Sequence, residues 1–194
     1  MEPLASKIRP KSLKEFIAWA KSYKGNLNVG VPGQGSGGYL AAQIFNAMTG
    51  VDAQLIAHSG SAPALRGLLG QEYQYAFTSA ASAMGLVRSG QLRAIALSSS
   101  KRAASLPDLP TIGEALPGFA VDGWWGLVGP AKMARPLVDR LHREAVKVLH
   151  SPAVSKRIGE SGGEVIGNTP EEFAKVIADD LQRYGKYLKA APQK

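Results

Sequence analysis

Val29-Gly30-Val31-Pro32-Gly33-Gln34-Gly35-Ser36-Gly37-Gly38-Tyr39-Leu40-Ala41-Ala42-Gln43-Ile44-Phe45 decides how this chain folds. A short extended run enters a loop of four glycines and one serine, and an apolar-periodic helix leaves it. The first N–H groups of a helix have no internal partner, and the macrodipole places partial positive charge there. Glycine removes the Cβ that would keep a ligand away from those donors. The stretch is therefore an anion-holding arrangement.

Which anion it holds is open at this level. A nucleotide P-loop needs Gly-x-x-x-x-Gly-Lys followed by Ser or Thr, and no lysine lies between Lys24 and Lys101. A dinucleotide fold needs Gly-x-Gly-x-x-Gly with an acid ending the next strand. Gly33, Gly35 and Gly38 meet that spacing, but the nearby acid, Asp52, begins the next strand rather than ending it. A connection without any ligand is a third reading. The fourth, capture of a carboxylate by backbone donors and Ser36, agrees best with the remainder of the chain.

Working outward, Ser12-Leu13-Lys14-Glu15 forms a capping box, and Phe16, Ile17, Ala20 and Tyr23 continue a helical face that stops at Gly25. Strands are expected over 27–31, 53–57, 73–77 and 93–97. Helices between them carry Leu40, Ile44, Phe45 and Met48, then Leu65, Leu68 and Leu69 behind Ser61 as cap, then 80–87. This alternation is an open α/β sheet built from crossovers. Ligands of such sheets lie outside the carboxyl ends of the strands. Those ends are 33–38, 59–62, 78–79 and 98–100, each rich in glycine or hydroxyls. Further on, 124–130 is expected as a buried strand, with Trp124 and Trp125 as strand and hinge packing. Helices follow at 136–150, from Pro152 toward Gly162, and from a Thr169-Pro170-Glu171-Glu172 capping box through Phe173, Ile177, Leu181, Tyr184 and Leu188.

Composition narrows the function. The 194 residues are 45% hydrophobic and 20% charged, which describes an ordinary globular chain with one sizeable core or two small lobes. The net charge of +8 favours acidic partners, but the basic residues are scattered and do not alternate with aromatics, so no nucleic-acid groove is expected. Without cysteine there are no disulfides, thiolate metal sites or cysteine nucleophiles. His58, His142 and His150 lack metal-ligand spacing, and no Gly-x-Ser-x-Gly elbow or positioned base activates a serine. Neither metal, catalytic residue nor cofactor is expected. The first residues, Met1-Glu2-Pro3-Leu4-Ala5-Ser6-Lys7, contain no apolar signal-peptide core.

Several segments carry a family resemblance: 28–45, Ser61-Ala62-Pro63-Ala64-Leu65, Ser89-Gly90-Gln91-Leu92-Arg93-Ala94-Ile95-Ala96, Arg102 with 106–114, Trp125-Gly126-Leu127, Pro130-Ala131, and Thr169-Pro170-Glu171-Glu172-Phe173-Ala174. Leu-Pro-Asp-x-Pro-Thr with an acid three residues later is the most specific of them. The chain resembles the substrate-binding receptors of tripartite tricarboxylate transporters, the Bug-type periplasmic solute-binding proteins. The resemblance implies a type II periplasmic-binding-protein-like α/β fold. It implies an N-terminal extension over 1–9, a complete second lobe over 10–122 and the returning C-terminal part of the first lobe over 123–194. The first lobe's N-terminal part would be missing.

Carried over residue by residue, Gly33, Gln34, Gly35, Ser36, Gly37 and Gly38, then His58, Ser59, Gly60, Ser61 and Ala62, then Thr78, Ser79 and Ala80 match pocket positions. The resemblance implies that they bind one carboxylate of a small di- or tricarboxylate, presented in the periplasm to the membrane components of a tripartite transporter. His58-Ser59-Gly60 departs from the family's aromatic, basic residue and glycine. The runner-up functions are a nucleotide-binding α/β enzyme and a ligand-sensing module. A severed lobe would expose apolar surface at Trp125, Leu141 and Phe173, which predicts self-association or a partner.

Overall fold

The computed structural model describes residues 10–189; the expected extension over 1–9 lies outside them. Two compact units follow one another, one ending at Gly123 and the other beginning at Trp124.

The first unit runs α1 (Leu13–Ser22), β1 (Leu27–Pro32), α2 (Gly37–Thr49), β2 (Ala53–His58), α3 (Ser61–Leu69), β3 (Tyr75–Ala76), α4 (Ala80–Arg88) and α5 (Ile112–Ala115). Its sheet has the order β2-β1-β3, all parallel, with Leu27 level with Ala53 and Pro32 level with His58. Side chains alternate between faces along each strand. Val29 and Val31 are fully buried, and the core continues through Phe16, Ile44 and Phe45. Phe16 meets Tyr75 edge-on at 5.0 Å, and Phe45 lies 5.7 Å from Phe77. Burial raises the Tyr75 hydroxyl pKa above its ordinary range.

The opposite face is organised by Tyr73. Its ring occupies the space that a Cβ on Gly30 or Gly67 would need. It is 1% exposed, and its hydroxyl donates to Ala64 O. Only glycine on both sides lets β1 and α3 close on that ring. This also corrects the expected strand over 73–77. Tyr73 turns aside to fill the gap, so the ladder is confined to Tyr75–Ala76. Backbone bonds from Gln74 N to Asn28 O and from Phe77 N to Gly30 O extend the pairing at either end.

Other expectations are corrected too. Residues 93–97 do not form a fourth strand. Leu97 instead makes an isolated parallel bridge with Thr111, donating to Pro110 O and accepting from Ile112 N. That bridge is held by the Leu-Pro-Asp-x-Pro-Thr run. Arg102 grips Glu114 with two bonds of 2.7 and 2.6 Å and donates a third of 2.7 Å to Pro107 O, while Glu114 accepts from Thr111 N. At α1, Ser12 caps Glu15 N as expected, but the Glu15 carboxylate reaches Lys11 N instead of the cap residue.

The second unit contains α6 (Arg135–Leu149), α7 (Pro152–Glu160) and α8 (Pro170–Lys189). The Thr169–Glu172 capping box forms in full. Arg135 pairs with both Asp139 and Glu171. The expected buried strand over 124–130 is absent: Trp125 is 84% exposed, and Leu127 and Val128 stand out beside it. A strand needs a neighbouring strand, and the described part of this unit offers only helices.

Two outcomes follow. Gly67→Ala would gain about 1 kcal/mol of helix propensity on an open surface, but collision with the pinned Tyr73 ring costs about 1–3 kcal/mol. Urea unfolding is therefore expected to show a net loss. The Arg102 side chain holds the Glu114 carboxyl at about 2, below its ordinary 4.5. A depressed acid stabilises the fold above its unfolded pKa, and that contribution fades as pH falls from there through about 2. Arg102→Ala is expected to melt lower than the parent at pH 7, with the gap narrowing between pH 4.5 and 2.

Candidate functional site

The parallel register brings the carboxyl ends of β1, β2 and β3 to one edge, and each strand hands over there to a helix. Three positive helix ends of α2, α3 and α4 therefore share a rim.

At α2 the chain turns tightly, Ser36 N donating to Gly33 O at 3.0 Å around Gly35, whose φ of 80° suits glycine. Ser36 is the N-cap. Its hydroxyl accepts from Tyr39 N at 3.1 Å and donates to Pro32 O at 3.2 Å. The serine expected to contact the ligand is thus engaged in holding the turn. The amides of Gly37 and Gly38 are left as N1 and N2 donors without an intrahelical partner. A Cβ on Gly38 would lie 2.8 Å from Pro32 Cδ and 2.9 Å from Phe77 O, so glycine there lets the helix start sit against the ends of β1 and β3. Around Gly37 there is open space. Gln34 and Gly35 are exposed at the tip.

At α3 the N-cap is Gly60, which provides no side-chain cap. Ser61, expected as the cap, is the first helical residue instead; its Oγ accepts a long 3.4 Å bond from Ser79 N, linking the loops after β2 and β3. Pro63 has no N–H, so Ser61 and Ala62 supply the uncapped amides of this helix start. Ser59 is exposed beside them. At α4 the N-cap Ser79 likewise makes no side-chain cap, its hydroxyl pointing to Ser82 Oγ at 2.9 Å, and the helix begins at Ala80.

Two polar atoms at this edge are buried without a hydrogen-bond partner: His58 Nε2, at the end of β2, and Thr78 Oγ1, in the loop after β3. The His58 ring lies 5.5 Å from that of Tyr73. A buried orphan costs about 1–3 kcal/mol, and both occur where the helix amides are also open. Apart from His58, the fourteen candidate positions carry no basic side chain, so the site's positive potential comes from helix ends.

The fourth expected loop does not belong to it. Ser98 Oγ donates to Val121 O, Ser99 Oγ to Lys101 O, and Ser100 donates through both N and Oγ to Asp122 Oδ1. These hydroxyls hold the end of the first unit. Arg102 is likewise committed to Glu114. His142 Nε2 contacts Asn168 O, and His150 closes α6 as its C-cap. Among the described residues no three His, Asp or Glu side chains gather into a metal site. Asp52 precedes β2 and lies about 20 Å from the rim at 3.3 Å per strand residue, so the ribose-binding acid of a dinucleotide fold has no counterpart at this edge.

Sequence reasoning missed Tyr73, Asp122 and the close approach at Gly38. Gly30 and Gly67 inside a strand and a helix were the available signal for Tyr73.

The family model described as "Tripartite tricarboxylate transporter family receptor" matches residues 4–192. Protein BugT of Bordetella pertussis is 30% identical over 179 residues, spanning 92% of this chain and 55% of BugT. Among solved structures, R. palustris Rpa4515 with adipate superposes with a TM-score of 0.87 at 28% identity, covering 94% of this chain and 61% of that one. MatC (Rpa3494) from Rhodopseudomonas palustris with bound malate gives 0.82 at 31% identity, covering 93% and 63%. The chain thus spans about half to three-fifths of the length of these relatives.

Proposed function

Because this chain belongs to the tripartite tricarboxylate transporter family of receptors, we propose that its first unit binds one carboxylate of a small di- or tricarboxylate at the rim formed by α2, α3 and α4. The observation that carries the reading is the coincidence at one edge of uncapped amides (Gly37, Gly38, Ser61, Ala62) with the buried, unpartnered Thr78 Oγ1 and His58 Nε2. An anion seated there takes hydrogen bonds from backbone donors and satisfies the side chains that otherwise lack them. Relatives solved with adipate and with malate support the ligand class.

The chemistry is binding rather than catalysis. The Ser36 hydroxyl is engaged in capping, and the family's members are receptors. The loaded receptor delivers its solute to the membrane components of a tripartite transporter, and it works in the periplasm. No described helix is long and apolar enough to cross a membrane. The open space at Gly37, where an added Cβ would meet nothing within 4 Å, gives the ligand its approach.

A thermal-shift series with adipate and malate beside NAD and ATP tests the proposal. The dicarboxylates are expected to raise the melting temperature, by the equivalent of about 2.7 kcal/mol at a hundredfold excess over Kd. Protection by NAD or ATP alone would transfer the site to the nucleotide reading. Gly37→Asp separates binding from stability. A carboxylate at N1 favours the helix by about 0.3–1 kcal/mol but repels a bound anion. Calorimetric titration is expected to lose at least about tenfold in affinity, equivalent to 1.4 kcal/mol, without loss of fold. Thr78→Val removes the orphan hydroxyl and should leave the ligand-free protein equally stable or more so, while weakening dicarboxylate binding. A hydroxyl with no part in binding would leave affinity unchanged.

A further inference from the structure

The candidate site holds one side chain able to take a positive charge, His58, and its surroundings hold almost nothing to balance that charge. His58 closes β2, level with Pro32 at the end of β1. Its carbonyl oxygen lies 3.4 Å from the position that a Cβ on Gly33 would take, and α3 begins three residues later at Ser61. The residue thus stands at the foot of the rim, between the loop into α2 and the start of α3. Its ring centroid is 5.5 Å from that of Tyr73, and Nε2 is buried without a hydrogen-bond partner.

β1, α2 and α3 pack against β2. β1 carries no titratable side chain, α2 carries Tyr39, and α3 carries Arg66, which is exposed. Tyr73, which faces the imidazole directly, donates its hydroxyl to Ala64 O, and burial raises the pKa of that hydroxyl. From β1 through α4, residues 27–88, the acidic side chains are Asp52 and Glu72. Asp52 precedes β2, at the opposite end of the strand from His58. Glu72 is exposed beyond the C-terminal end of α3, its carboxylate 3.8 Å from the Cβ position of Gly70. The nine residues of α3 separate that end from the rim by about 13 Å. Later in the unit, Glu114 and Asp122 are engaged by Arg102 and by Ser100. An imidazolium buried without a counter-charge is disfavoured, whereas an anion within about 4–6 Å favours it. The counter-charge missing around His58 is the one that a carboxylate ligand brings.

We infer that His58 takes up a proton as the ligand's carboxylate is seated, so that a fully ionised dicarboxylate binds more tightly as pH falls. This uptake presupposes the carboxylate reading above and adds pH control to it. The imidazolium Nε2–H donates a charge-assisted hydrogen bond to a carboxylate oxygen, and the orphaned nitrogen gains its partner. The proton comes from solvent and returns there on release, and no covalent bond of the ligand changes. The sign follows from linkage, because the state that holds more protons is favoured as pH falls. An ordinary imidazole titrates at about 6.5 and carboxylates at about 4, so near neutral pH the ring changes charge while the ligand keeps its own. Loading is favoured at lower pH and release at higher pH.

Calorimetric titration of the chain with adipate, and separately with malate, tests this in MOPS and in Tris, two buffers of unequal ionisation enthalpy. At about pH 7.5 the apparent enthalpies in the two buffers should differ in the sense of net proton uptake, a fraction of a proton per bound ligand. Kd should be at least about fivefold lower at pH 6.5 than at pH 8.5, the change produced when an imidazole's pKa rises by about one on binding. His58→Gln keeps a hydrogen-bonding side chain that takes no proton, and His58→Phe keeps a ring against Tyr73 and removes the orphaned nitrogen. In each variant the enthalpy should be the same in both buffers and Kd the same at both pH values. His142 and His150 remain in both variants, so proton uptake that survives the substitutions overturns the assignment to His58. Binding by the parent without uptake, or with proton release, also overturns it and leaves the carboxylate reading standing. Binding of neither dicarboxylate at any pH removes that reading itself, and the proton uptake with it.

Discussion

Everything at the rim depends on β1 being paired in parallel on both sides. With Pro32 level with His58, and Phe77 bonded to Gly30, three strands end at nearly the same height. A parallel strand can be followed only by a crossover, so a helix starts at each end and directs its unpaired amides to the same edge. No charged side chain is needed to make this edge attractive to an anion. The register does it, and Gly38 preserves it by letting the first turn of α2 rest on Pro32 and Phe77.

The rim is then divided by which donors are already engaged. Ser36, Ser79 and the serines 98–100 all looked equivalent as hydroxyls near strand ends. In the folded chain Ser36 is fixed between Pro32 and Tyr39, and Ser98 and Ser100 are tied to Val121 and Asp122. What stays open is largely backbone, Gly37 and Gly38 at one helix and Ser61 and Ala62 at the next, and at the same edge the single atoms Thr78 Oγ1 and His58 Nε2 are buried without a partner. Backbone donors are held by the helices themselves and lose little freedom on meeting a ligand. The Ser36 hydroxyl, engaged in capping, holds that geometry in place.

Much of the first unit was legible in the sequence because its signals are local. Apolar spacing placed α1 to α4, and the glycine run marked the loop that leads into α2, whose first turn begins inside it at Gly37. The Thr169–Glu172 box was equally plain. The failures share a cause. Strand pairing is non-local, and no pattern within 93–97 states that Leu97 will bridge to Thr111 rather than pair with β3. Tyr73 fits the alternation of a strand and leaves it only because two glycines, Gly30 and Gly67, vacate a space the size of its ring. Ser61 has the chemistry of a cap but falls one position late, behind Gly60.

The second unit shows the same contrast within one stretch of chain. Its helices form where periodicity and capping place them, since hydrogen bonds within a helix need no outside partner. The segment 124–130 has the composition of a buried strand, and its glycines still lie against Phe173 and Met133. Yet Trp125, Leu127 and Val128 face solvent, because a strand acquires both its hydrogen bonds and its burial from a neighbour. Composition thus records the environment that a segment is suited to, while the fold records which partners are at hand. Where the two disagree as widely as at Trp125, the composition of the segment suits a neighbour that the described residues do not provide.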